Sequence, residues 1–195
     1  MEVRQADGTL IATATDFSWS FAAFDTAMGN LLNNDNGDDL DALLSLQPVT
    51  YDARQSSTLT DARFDGTSSD FTLLGSNFGD TLQGGAGDDS IRPGASDRGE
   101  LVIGSGGNDT IDFSGHSSNA WAEIAYYDAT GPVQFSVNGT ANTGSVAKPG
   151  GFTDTILDVR NPLQAGGLTL TGSASGDTFT VDGGADSWMR VIGGA

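Results

Sequence analysis

The sequence predicts an all-β chain wound as a parallel β-roll or β-helix, a right-handed solenoid, with a small mixed α/β cap at its N-terminus and a β-hairpin-like insertion. Glycine supplies 28 of 195 residues without a collagen-like triplet, which marks a chain dense in tight turns. The turns follow a nine-residue beat. Gly84-Gly85-Ala86-Gly87-Asp88-Asp89-Ser90-Ile91 fits Gly-Gly-x-Gly-x-Asp-x-U, where U is a large apolar residue. Counted outward from this stretch, Phe64, Leu73, Leu82, Ile91, Val102 and Ile111 all take the eighth place of one register, with Pro93-Gly94 as a two-residue insertion. One inward apolar residue per short strand, its neighbours pointing outward, builds a thin stacked core.

Residues 1–56 read as the cap that the first coil of a solenoid needs. Leu10 to Thr15 is a short strand of small and branched residues after the Asp7-Gly8 turn. Phe24, Met28, Leu31 and Leu32 fall at helical spacing, and a second helix is predicted after Asp38 with Leu40, Leu43 and Leu44 on one face. The acidic segment between them, Asn33 to Asp39, is not an EF-hand. With Gly37 at the sixth loop position, Leu32 occupies the first, where an Asp ligand is needed.

The repeat block spans 57–112. The copy at Gly66 has Phe71 at its sixth place, the copy at Gly75 has Asp80, and the copy at Gly84 has Asp89. After the insertion, the copy at Ala95 has Glu100 and the copy at Gly104 has Asp109. Residues 113–147 read as an insertion that interrupts the repeat. Trp121 to Tyr127 forms a strand, Val133, Phe135 and Val137 alternate, and Asn138-Gly139 marks a two-residue hairpin turn. A second, degenerate block at 148–195 carries Asp154-Thr155-Ile156, the Leu168 and Leu170 strand, and Asp177-Thr178-Phe179. The final Gly193-Gly194-Ala195 stops where another Gly-Gly-x-Gly would begin, as expected of a piece of a longer parent.

Two nonapeptides make one full coil, so same-side loops are two copies apart. Asp89 should then stack under Asp109, and Asp80 under Glu100. Carboxylates brought together repel one another unless a cation lies between them. A hard cation suits oxygen ligands, and Ca²⁺ takes six to eight of them with looser geometry than Mg²⁺. The expected ligands are Asp89 and Asp109, then Asp80 and Glu100, then Asp177 and Asp154, with loop carbonyls near Gly84, Ala86, Gly104 and Gly106.

Residues 66–112, and less closely 149–194, resemble the RTX (repeats-in-toxin) proteins of secreted bacterial type. The resemblance implies a β-roll that binds Ca²⁺ between turns. It also implies export of the unfolded chain by a type I secretion system, and folding in extracellular calcium. The protein or its parent would then be secreted or held at the bacterial cell surface.

Composition limits the other classes. A net charge of −18 repels nucleic acid and anionic membrane. No apolar run approaches the ~18 residues of a spanning helix, and Met1-Glu2-Val3-Arg4 does not open a cleavable signal peptide. Without cysteine there is no disulfide framework and no thiolate chemistry. The main rival is a β-helical polysaccharide lyase or epimerase, but the single histidine, His116, reads as a loop residue. The second rival is a surface that binds ice or glycans through Thr81, Thr110, Thr155 and Thr178 at the seventh place. Residues 113–147 should break that array, and Trp121 and Trp188 read as core or cap residues rather than sugar platforms.

Overall fold

The computed structural model describes residues 2–4, 10–15, 21–34, 42–43, 48–65, 67–96, 98–116, 120–164, 166–182 and 188–193. Within them the chain is mostly β, arranged in two sheets that share one core. From β3 (Val49–Asp52) through the next six strands, successive strands alternate between the sheets. β5 (Phe71–Leu74), β7 (Ser90–Arg92) and β9 (Thr110–Asp112) follow β3 in a ten-stranded sheet. β4 (Asp61–Arg63), β6 (Thr81–Gln83) and β8 (Glu100–Ile103) lie in a six-stranded sheet. Each strand pairs in parallel with the strand two places on.

The eighth-place residues form the core. Leu73, Ile91 and Ile111 are successive neighbours in one sheet, Leu82 and Val102 pair in the other, and all five are at most 1 % exposed. Phe64 departs from the expected register. Ala62, not Phe64, pairs with Leu82, and Phe64 stacks its ring on Phe71 at 4.2 Å. Both residues lie on the inward parity of the chain, and the Phe64 ring packs just beyond the end of β4.

The predicted insertion joins the sheets rather than decorating them. β10 (Ala122–Ala125) enters the six-stranded sheet beside β8, Ile124 matching Val102, and β14 (Leu168–Thr171) and β16 (Met189–Ile192) follow it in parallel. β11 (Gln134–Asn138), β12 (Thr143–Ala147) and β13 (Thr153–Leu157) make antiparallel pairs within the ten-stranded sheet, and β15 (Thr178–Asp182) adds in parallel to β11. That sheet is therefore mixed: the expected hairpin is built into it rather than standing apart from the parallel strands.

The hairpin turn also differs. It spans 139–142, Asn138 Oδ1 accepts from the Ala141 N–H, and the left-handed residue is Asn142 (φ 63°) rather than Gly139. At the other end, β1 (Glu2–Arg4) and β2 (Leu10–Thr15) attach antiparallel to β3. α1 (Phe21–Asn34) covers the first helical pattern. Of the second predicted helix, Ala42 and Leu43 are helical and the rest lies outside the described residues, as does Gly66.

Candidate functional site

The sixth-place acids line up inside the turns at the strand ends. Asp80, Asp89, Glu100, Asp109 and Asp154 are all 3 % exposed or less, and Asp177 is half-buried. Each meets the coil before it in the same way. The Asp80 N–H donates to Glu100 Oε2 at 2.9 Å, and the Asp89 N–H donates to Asp109 Oδ1 at 2.9 Å. The Asp109 N–H donates to Asp154 Oδ1 at 2.9 Å, and the Val133 N–H to Asp177 Oδ1 at 2.9 Å. Asp80 and Asp89 receive the N–H groups of Thr60 and Phe71, both at 2.7 Å. These N–H groups sit one step beyond the end of the strand ladder, where a buried donor needs an acceptor. The expected stacks, Asp80 with Glu100 and Asp89 with Asp109, are present. Asp154 extends the second stack, and Asp177 faces Val133 instead of another acid.

The turn explains the pairing of glycine at place one with acid at place six. A Cβ on Gly84 would lie 1.8 Å from Asp89 Oδ2, and one on Gly172 would lie 2.0 Å from Asp177 Oδ2. The carboxylate fills the space that glycine leaves, and Asp89 Oδ2 accepts from the next amide, Gly85 N–H, at 3.0 Å. Ser76, Ser105 and Ser173 stand at place two where glycine is the rule, and they are ligands of the acid rather than defects. Their hydroxyls donate to Asp80 (2.7 Å), Asp109 (3.3 Å) and Asp177 (2.9 Å). The signal in the sequence is serine four residues before the acid in four copies, the fourth being Ser96 before Glu100, which it also hydrogen-bonds.

A second ladder runs along the fifth place. Asp70 Oδ1 accepts from Asp88 N–H, Asp88 Oδ1 from Asn108 N–H, and Asn108 Oδ1 from Thr153 N–H, at 2.7–3.0 Å. The recurrence of Asp or Asn at that place in three copies was its sign.

Burial makes these carboxylates hard to ionise. Glu100 is pushed up to about 8 by desolvation, with the Asp80 charge adding to it against the Asp80 N–H. Asp89 rises to about 7, by burial first and the Asp109 charge also. Asp80 rises for the same first reason. Among the described residues none of these three forms an ion pair, and Glu100 Oε1 is buried without a hydrogen-bond partner.

One junction differs. Lys148, between β12 and β13, buries its side chain to 4 % exposure and reaches under the Gly104 turn. Its ammonium contacts Ser105 O (2.8 Å), Gly106 O (3.3 Å), Asp109 Oδ2 (3.1 Å) and Asp154 Oδ1 (2.5 Å). The Tyr126 hydroxyl donates to Asp154 Oδ2. Burial raises the Asp109 and Asp154 carboxyls, and Lys148 opposes that rise.

For calcium, the residues fit in one region and not in the other. Asp80, Glu100 and Asp89 offer buried carboxyl oxygens with spare lone pairs and, among the described residues, no counter-charge, and in their ionised form they would fit a hard cation. No group of three or more Asp, Glu or His side chains converges among the described residues, so carbonyls would have to complete the shell. Asp109 and Asp154 already hold an ammonium, so an additional ion does not fit between them.

The other candidates also resolve. His116 is 7 % exposed, packs edge-on against Phe113 at 5.7 Å, and bonds the Ala120 carbonyl at 3.0 Å through Nε2. Burial lowers its basicity, and its ring is enclosed rather than open to substrate. The seventh-place threonines do not form one row, since Thr81 belongs to the six-stranded sheet and Thr178 pairs with Gln134. The ten-stranded sheet nevertheless carries an unbroken row of hydroxyl side chains, one per strand, from Thr50 to Thr180. The 113–147 segment, expected to break such a row, supplies Ser136 and Ser145 to it. Trp121 and Trp188 are 48 % and 74 % exposed, not core. With Glu123, Thr169 and Arg190 they line a cavity of about 440 Å³ on the outer face of the six-stranded sheet.

No family model matches the chain, and no curated protein or solved structure matches it.

Proposed function

We propose that this chain is a calcium-binding, structural β-roll segment of a secreted bacterial repeat protein, folding once calcium is available outside the cell. The observation that carries the reading is the Asp80–Glu100 rung. Among the described residues two buried acids stack there without a counter-charge, and one Glu100 oxygen has no hydrogen-bond partner. Ion binding between coils would supply the missing positive charge, with Asp89 on the other sheet a second contact point. The resemblance of the Gly84 and Gly104 turns to RTX repeats supplies the setting of type I export. A thin core makes the ion matter: at a hundred times its dissociation constant, one bound ion adds about 2.7 kcal/mol.

The test is a calcium titration after chelation, followed by circular dichroism and melting. Each kcal/mol moves the midpoint of a chain this size by roughly 2–4 °C, so calcium should raise it by several degrees. Glu100→Gln should blunt that rise. A midpoint and β spectrum indifferent to calcium would remove the proposal.

The exposed pair Trp121 and Trp188 favours a second reading, a glycan-binding surface. Indole faces stack on apolar sugar faces, and Glu123 and Arg190 can meet hydroxyl groups. Binding on a polysaccharide panel that Trp188→Ala abolishes would support it. An empty panel for the unmutated protein would sink it.

A further inference from the structure

The Lys148 junction resembles a filled cation site. Its four oxygens are those that an inter-coil ion would be expected to use: two loop carbonyls, Ser105 and Gly106, and two stacked carboxylates, Asp109 and Asp154. Asp109 and Asp154 side chains are 1 % and 0 % exposed, so a positive charge is needed to bury them together. The lysine comes from the end of a hairpin arm, because the Pro149–Gly151 turn folds β12 back onto β13, where Ala147 pairs with Thr153. Asp154, one residue further along β13, is thereby beside Lys148. Asp109 and Asp154 are 45 residues apart in the chain, so the contact ties the first repeat block to the second.

From this geometry we infer that Lys148 is a built-in replacement for the inter-coil cation. This cage is a cation site by construction, occupied permanently from within, and the joint between the two blocks closes without calcium. Emptying it of the ammonium turns it into a divalent-cation site. A cavity of about 220 Å³ lined by Gln83, Ser105, Tyr126 and Lys148 gives an ion a route to it. The inference rests on the reading that stacked sixth-place acids take a cation, yet it concerns a different rung from Asp80–Glu100.

The experiment compares the unmutated protein, Lys148→Met and Lys148→Met/Asp154→Asn in chelator and in calcium, by melting and by calorimetric calcium stoichiometry. In chelator, Lys148→Met should lose on the order of 10 °C in midpoint, since removing one member of a buried charge cluster strands the others. Calcium should restore most of that loss, with one more ion bound than in the unmutated protein. The double variant, with one stranded carboxylate neutralised, should recover part of the loss in chelator.

The proposal is overturned by a Lys148→Met protein that melts normally in chelator, one that stays destabilised or unfolded in millimolar calcium, or one that gains no ion. A double variant no more stable than Lys148→Met also overturns it, because packing rather than charge would then be what was lost. The two readings separate cleanly. If the unmutated protein binds no calcium but Lys148→Met does, the Asp80–Glu100 reading fails and this one stands. If the unmutated protein binds calcium and Lys148→Met gains none, the reverse holds.

Discussion

Gly107→Ala should lower stability by about 3 kcal/mol or more, well above the usual effect of a single substitution. Gly107 has φ of +69°, a left-handed conformation that costs an L-residue about 1–2 kcal/mol. A Cβ there would also lie 2.0 Å from the carbonyl oxygen of Gly87 in the coil below. That neighbour is backbone in a stacked turn, so relief would require the coils to separate and would disturb the Asp88 and Asp89 rungs. Gly176→Ala is the matched control, because a Cβ on Gly176 meets nothing within 4 Å. Denaturant unfolding of the two variants should differ by several-fold in free-energy loss. Equal losses would show that the coils do not stack as closely as described.

The metal-free protein should become less stable as pH rises from about 5 to about 8, the reverse of the usual behaviour of paired carboxylates. Asp89 and Glu100 have ordinary values of 3.8 and 4.5, and in the folded chain they stand at about 7 and about 8. Between these limits the folded state keeps protons that the unfolded state has lost, so raising the pH favours unfolding. Each unit of separation is worth about 1.4 kcal/mol, so the two groups together span on the order of 5–10 kcal/mol across the window. On the proposed reading, an inter-coil calcium ion would take the ionised carboxylates, so adding calcium should remove the slope. Melting in chelator and in calcium at several pH values measures both. A midpoint in chelator that climbs steadily from pH 5 to pH 8 contradicts the burial of these acids without a counter-charge.

The stacking of Asp80 with Glu100 and of Asp89 with Asp109 was legible because the repeat is local. Nine residues make a turn and a strand, the apolar eighth place must face the core, and the acid two places earlier is then carried into the turn. The serines at 76, 105 and 173 carry no message in the repeat pattern itself, which says where glycine sits and not what may replace it. Their role follows from distance: a hydroxyl at place two lies within reach of the acid at place six. Phe64 was misplaced because Ala62 and Phe64 share one parity, and alternation cannot choose between residues two apart.

What the amino-acid sequence determines by itself here is the period, the inward and outward faces, and the order of acids along each side of the coil. These depend on contacts between neighbouring turns, which a regular repeat encodes at short range. Tertiary structure alone decided how residues 113–147 join in: β10 as another parallel strand, β11 and β12 as an antiparallel pair that continues the hydroxyl row. It also decided that Lys148 closes the Asp109–Asp154 rung. That lysine is 39 residues from Asp109 and holds no place in a nonapeptide copy. Only the folding back of the hairpin brings its charge to the two acids, and no local pattern records a meeting made by chain reversal.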